Sequence, residues 1–160
     1  MIQRIQTLFL LTSSILLGIM QFVPLWHKVD PLTLYRHTLY TWKLQTVDSS
    51  QNLINSSSMP YLCLGILAVV IAILAVYTVW RYDNRSLQIQ MITISNLLAT
   101  VLVGMIVYFC TKSPRLQLAA ITGTYHPGFY MPALVVLCNL LAKHFIQKDE
   151  KFIQSTNRLR

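Results

Sequence analysis

Four long stretches of the chain contain no charged side chain, and they restrict its possible folds more than any other feature. They are Ile5 to Trp26, Met59 to Trp80, Ile89 to Thr111 and Phe129 to Ala142. The first three match the roughly 20 residues that carry a helix across the hydrocarbon core of a bilayer. The fourth is shorter, but Lys143 and His144 can extend their polar ends to the membrane surface. The pattern therefore predicts four membrane-spanning helices.

The predicted fold class is an all-α integral membrane protein, built as a four-transmembrane-helix bundle. Hydrophobic residues make up 54% of the 160 residues and charged residues only 11%, whereas about a quarter of a soluble domain is charged. We expect a single membrane domain over residues 1–160. Its predicted parts are transmembrane helices at about 5–26, 59–80, 89–111 and 128–146, outer loops 27–58 and 112–127, a cytoplasmic loop 81–88 and a cytoplasmic tail 147–160.

The distribution of Lys and Arg predicts the orientation in the membrane. The formal net charge is +8, but these residues are scattered along the membrane edges, so nucleic acid is not an expected partner. With four spans both termini lie on one side, and that side carries eight Lys and Arg residues against five on the other. Because cytoplasmic segments are enriched in positive charge, we expect a multi-pass protein with both termini in the cytoplasm.

The segments outside the spans show two further patterns. Leu32 to Val47 alternates apolar and polar residues and predicts one or two strands, and Leu116 to Thr122 is also strand-like, so the outer loops are expected to form small strand-like elements. In the tail, Phe145, Phe152 and Leu159 recur at seven-residue spacing. This spacing predicts an amphipathic C-terminal helix, and a partly frayed solubilising tail is the alternative.

The predicted spans contain few side chains that could take part in catalysis or bind a metal ion. No Asp, Glu, Lys, Arg or His lies deep in any of them, so we predict no catalytic residue, no cofactor and no metal site. Cys63, Cys110 and Cys138 are isolated, and no two have the spacing of a metal pair. Cys63 and Cys110 both fall near the outer ends of their helices, which leaves a disulfide open, although unpaired thiols are the expected state.

Polar side chains within the spans are interpreted as helix-packing groups. Asn96, Thr100 and Asn139 are the main candidates, and small residues such as Ser14 and Gly18 allow close helix approach. In antiparallel helices Asn96 and Asn139 lie at similar depth, so a hydrogen bond between their amides is expected. A ligand-binding role for these groups is the alternative.

Charged residues at the membrane edge are candidate contacts for a partner protein or for lipid headgroups. They are Arg81, Arg85, Lys148, Lys151, Arg158 and Arg160. On the outer side, His27, Asp30 and His37 match no ligand spacing and are interpreted as solvated loop residues rather than as a metal or acid–base site.

Several short segments resemble a known family. They are Met1 to Thr7, Arg81 to Gln88, Gly128 to Pro132, Lys148 to Lys151 and Asn157 to Arg160. Together they resemble the Bacteroidota four-helix inner-membrane protein family described as domain of unknown function 4293. The resemblance implies the inner membrane of a Gram-negative bacterium, an uncleaved N-terminus and no established activity, and it brings no catalytic residues.

The expected function is that of a non-enzymatic accessory, assembly or stabilising subunit of a larger membrane protein complex. Its expected partners are membrane lipids and other integral membrane proteins. The alternative is a small carrier or channel for a neutral solute or lipid, lined by Ser95, Asn96, Thr100 and Asn139. A third hypothesis is a membrane enzyme with a site at His27, Asp30, His37 and His126.

Overall fold

Four helices and five strands make up the structure. The computed structural model describes residues 2–29, 34–48, 52–81, 85–112 and 123–157. The helices are α1 (Ile2–Met20), α2 (Leu62–Trp80), α3 (Arg85–Lys112) and α4 (Pro127–Asn157). The strands are β1 (Trp26–Val29), β2 (Arg36–Leu39), β3 (Leu44–Val47), β4 (Leu53–Ser57) and β5 (Thr124–Tyr125).

Three helical segments are long and apolar enough to cross a membrane, at Leu62–Trp80, Ser86–Thr111 and Pro127–Lys148. The apolar part of α1, Gln6–Met20, is shorter. The prediction of four transmembrane helices is therefore wrong, because within the described residues only α2, α3 and α4 meet the length and composition of a span.

The first helix ends six residues before the predicted boundary at Trp26, at Met20. Pro24 cannot donate a backbone hydrogen bond and disfavours helical geometry in the residue before it. The chain leaves the helix through a turn in which the Gln21 and Phe22 amides donate to the Gly18 and Ile19 carbonyls, at 3.2 and 3.0 Å. Residues 21–26 of the predicted first span thus belong to the turn after α1 and to the start of β1.

The strands form one antiparallel sheet in the order β4-β3-β2-β1-β5. The assignment to the all-α class, with only strand-like loops, is therefore wrong. Trp26, Leu39 and Leu44 lie opposite one another on adjacent strands and are buried on one face. A sheet of several strands with one apolar face can be stable where an isolated hairpin is not. Two of the strands, β2 and β3, lie within Leu32 to Val47, where the alternation of apolar and polar residues predicted strands. The second segment that was predicted to be strand-like, Leu116 to Thr122, lies outside the described residues.

The helices contact one another in a ring, in which α1 and α3 each pack against both α2 and α4. Leu10, Ile92, Ala142 and Ile146 form a buried cluster at one end of this helical body. At the other end, which we call the sheet end, a larger cluster joins helical residues to the buried face of the sheet. The core is therefore continuous from the helices into the sheet.

The start of α4 packs closely against the chain that follows α1. The His126 amide donates to the Leu25 carbonyl at 3.0 Å. A Cβ atom on Gly128 would lie 2.7 Å from the Pro24 carbonyl oxygen, so a larger residue does not fit there without a shift. At its other end α4 continues to Asn157, so the predicted tail helix is an extension of α4.

The tip of the β2–β3 hairpin occupies the space beyond the end of α1. The buried Thr41 hydroxyl donates to the Met20 carbonyl at 2.9 Å, which satisfies one of the carbonyls that a helix end leaves without a partner. The neighbouring Trp42 ring lies against Gly65 of α2, where an added Cβ atom would come within 2.5 Å of it. We call Thr41 and Trp42 the hairpin tip.

We predict that Gly65→Ala destabilises the protein, because the added methyl group displaces Trp42 from the helix surface. A loss of about 1–3 kcal/mol in the free energy of unfolding is expected for overpacking of this kind. The matched control is Gly104→Ala, since Gly104 is also helical but nothing lies within 4 Å of its added Cβ. Thermal unfolding in mild detergent compares the two, and equal stability of both variants would contradict the proposed packing.

Candidate binding surfaces

Two histidines meet on the sheet side of the protein. His27 on β1 and His126 before α4 are hydrogen-bonded through Nδ1 and Nε2, and Thr124 Oγ1 lies 2.9 Å from His27 Nε2. His37 is not part of this pair, because it lies opposite Lys28 on the neighbouring strand and contacts Thr46 Oγ1 at 3.0 Å. Asp30 lies outside the described residues.

The environment of His27 disfavours its charged form. Burial lowers the pKa of His27 below its usual value, and the positive charges of His126 and Arg36 lower it further. In the described parts of the chain, no three His, Cys, Asp or Glu side chains come together in a group that would hold a metal ion. What the pair can do chemically is exchange a proton between β1 and the start of α4.

Within the helices, Asn139 pairs with Ser95 rather than with Asn96. Asn139 is fully buried, and its Nδ2 donates to Ser95 Oγ at 3.2 Å. The Oδ1 atoms of Asn96 and Asn139 are buried and accept no hydrogen bond from the described residues, so the expected amide pair is not formed. Ser95 lies on the buried stripe that also contains Ile92, and Asn96 lies one position further around the helix.

Thr100, the third residue predicted to be a helix-packing group, does not take part in the contact between Asn139 and Ser95. Thr100 is exposed, and its hydroxyl donates to the Asn96 backbone carbonyl at 2.9 Å. This local bond satisfies the hydroxyl group without a second helix. Of the four candidate pore-lining residues, only Ser95 and Asn139 are therefore seen to bond to each other across two helices.

Two of the predicted basic contacts have described side chains, and both are exposed. Arg81 follows α2, and its Nε donates to the Tyr77 hydroxyl at 3.2 Å. Lys148 lies on α4. The side chains of Arg85 and Lys151, and all of Arg158 and Arg160, lie outside the described parts of the chain.

The thiols are unpaired. Cys63, Cys110 and Cys138 are all free, and the Cys63 thiol donates to the Pro60 carbonyl at 2.9 Å. The open alternative of a Cys63–Cys110 disulfide is not present.

A groove that was not predicted from the sequence lies between α1 and α2. The groove has a volume of about 380 Å³ and an almost entirely apolar lining, which runs along one side of each helix. It includes Gly18 and Ser14 on α1 and extends to Tyr77 and Trp80 on α2. The small residues are the available signal in the sequence, but such residues are typical of helix-contact positions. We call this feature the α1–α2 groove.

The outer edge of the sheet is a second surface that the sequence did not indicate. Strand β4 pairs with β3 on one side and has no second neighbour among the described residues. Its Leu53 and Ile54 side chains are 66% and 51% exposed. Such an edge presents backbone donors and acceptors to any strand that pairs with it.

We predict that Asn139→Ala destabilises the protein, because it removes the bond to Ser95 and leaves a void. An interhelical hydrogen bond of this kind contributes about 0.6 kcal/mol and at most about 2 kcal/mol in a membrane protein. The control is Thr100→Ala, which alters an exposed residue and should change stability by less than about 0.5 kcal/mol. Denaturant titration in detergent micelles measures both, and a larger loss for Thr100→Ala would contradict this packing.

We predict that stability falls as the pH drops through the range in which His27 is protonated. Because the folded state lowers the pKa of His27, the unfolded chain takes up protons more readily. Stability is therefore full above the usual histidine pKa and is lost toward more acidic pH. The midpoint of thermal unfolding, measured between about pH 7.5 and 5, should fall more steeply for the native chain than for His27→Gln; parallel curves would contradict this assignment.

Nearly the whole chain matches one protein family. No curated protein matches the chain. A family model described as "Domain of unknown function (DUF4293)" matches residues 2–159, which is nearly the full length. The chain therefore belongs to the DUF4293 family.

Proposed function

We propose that this protein is a non-enzymatic subunit that assists the assembly or stability of a larger membrane protein complex. In this proposal it lies in a bacterial inner membrane with both termini in the cytoplasm. Helices α2, α3 and α4 cross the membrane, while the shorter α1 enters from the cytoplasmic side and ends beneath the sheet, which faces the other side. The partner is another membrane protein that adds an extended segment to the edge of the sheet.

The open edge of β4 carries this proposal. Each residue from Leu53 to Ser56 is exposed, and Ser57 is partly exposed. Proteins commonly protect such edges with charged residues, proline or covering segments. Strand β4 instead reads Leu-Ile-Asn-Ser-Ser and contains neither charge nor proline. Addition of a partner strand would pair its free backbone groups and cover Leu53 and Ile54.

The polar groups of the helices support a structural rather than a catalytic role. Asn139 and Ser95 bond across α3 and α4, while Thr78 and Thr93 bond to carbonyls of their own helices. The bond between Asn139 and Ser95 is of the kind that holds helices together in lipid, and the two threonine hydroxyls are satisfied within their own helices.

The carrier hypothesis receives less support. Its candidate residues would have to line a common path, yet Asn139 and Ser95 are buried against each other and Thr100 is exposed away from them. We therefore retain the subunit proposal as the better account of the geometry.

The test is native isolation of the full chain from its own membrane in gentle detergent. We expect one or more integral membrane proteins to copurify in stoichiometric amounts. The double variant Leu53→Lys with Ile54→Lys should lose that partner, because lysines on an edge strand oppose pairing. The control, Met59→Lys, changes a side chain that is 72% exposed and lies outside the strand.

Two results would contradict the proposal. One is a monodisperse monomer or homodimer with no companion protein. The other is equal partner recovery with the double variant and the control, which would remove β4 from the interface.

A further inference from the structure

The α1–α2 groove defines a binding site that is independent of the sheet edge. On α2 its lining extends from Val69 to Trp80, a length of roughly 16 Å at about 1.5 Å per residue. The hydrocarbon core of a bilayer is about 30 Å thick. The groove therefore spans about the depth of one leaflet, from Gln21 at the sheet end of α1 to Trp80 at the far end of α2.

The width of the groove indicates what kind of molecule fits in it. A volume of about 380 Å³ over this length describes a narrow groove. An α-helix with side chains is at least about 10 Å across. A single extended hydrocarbon chain is a better match to a narrow, apolar channel.

Small residues line the groove on both helices. Gly18 lies in the lining, and a Cβ atom added there would meet nothing within 4 Å. Neighbouring Ser14 and, across the groove, Ala72 are also small. The helices therefore leave this channel unfilled although they pack elsewhere.

The end of the groove at the membrane surface carries a positive charge. Tyr77 and Trp80 line it there, and Arg81 follows directly, with its Nε donating to the Tyr77 hydroxyl at 3.2 Å. This bond holds the guanidinium group beside the opening. Guanidinium groups recognise phosphate through charge-assisted hydrogen bonds, and aromatic residues favour the headgroup level of a bilayer.

We propose that the α1–α2 groove binds one acyl chain of an anionic phospholipid, with the headgroup phosphate at Arg81. The chain lies along Gly18 and Ala72, and its apolar length covers the lining of the groove. The negative headgroup complements Arg81, so anionic lipids bind in preference to zwitterionic ones.

The test uses the full chain, reconstituted in a mixture of phosphatidylglycerol and phosphatidylethanolamine and then released for native mass analysis. The native protein should retain one phosphatidylglycerol molecule in preference to phosphatidylethanolamine. Gly18→Leu fills the groove and should reduce retention roughly tenfold. Gly104→Leu is the matched control, because Gly104 is equally open but lies outside the groove lining.

Arg81→Gln separates the headgroup from the acyl chain. This variant should still retain lipid but lose the preference for phosphatidylglycerol. Equal retention by Gly18→Leu and Gly104→Leu would overturn the proposal, as would an unselective native protein. Loss of a homodimer in Gly18→Leu, without loss of lipid, would also overturn it and would assign the groove to a second copy of the chain. None of these results depends on β4.

Discussion

The backbone at the end of α1 must find hydrogen-bond partners inside an apolar environment, and much of the structure depends on how it does so. A helix that ends among apolar side chains leaves its last carbonyl groups unsatisfied unless other groups bond to them, at a cost of several kcal/mol each. The end of α1 is such a place, because Met20 is fully buried. Here the turn after α1 and the Thr41 hydroxyl supply the bonds.

The sheet is consequently a part of the helical core and not a separate appendage. Leu39 and Leu44 belong to the same buried cluster as Leu17 and Leu64 of the helices. Trp42 lies against Gly65 of α2, next to Thr41, which bonds to the end of α1. The short helix, the glycine on α2 and the hairpin tip therefore form one arrangement, in which a change at any position affects the other two.

Some of this fold could be predicted from the sequence, because an absence of charge over a span-length window is a strong local signal. Helices α2, α3 and α4 lie close to the predicted windows. The end of α1 and strand β1 were missed, since Trp26 continues an apolar run and its role is set by pairing with Leu39. Strand β4 was missed because its residues are exposed and lack the alternation of a buried face.

The candidate sites were less predictable, for a related reason. Depth along antiparallel helices placed Asn139 correctly, but the choice of Ser95 over Asn96 depends on helix rotation, which spacing alone does not determine. The α1–α2 groove depends on how two helices separate around Gly18, and the open edge depends on strand order. Neither property is encoded in a local pattern.

Hydrogen–deuterium exchange of the full chain in a lipid nanodisc tests the central claim most directly. If the hairpin tip completes the helical core, the backbone amides of residues 39–44 exchange as slowly as those in the interior of α2. Exchange of this segment at the rate of a solvent-exposed turn, with α2 still protected, would contradict the account.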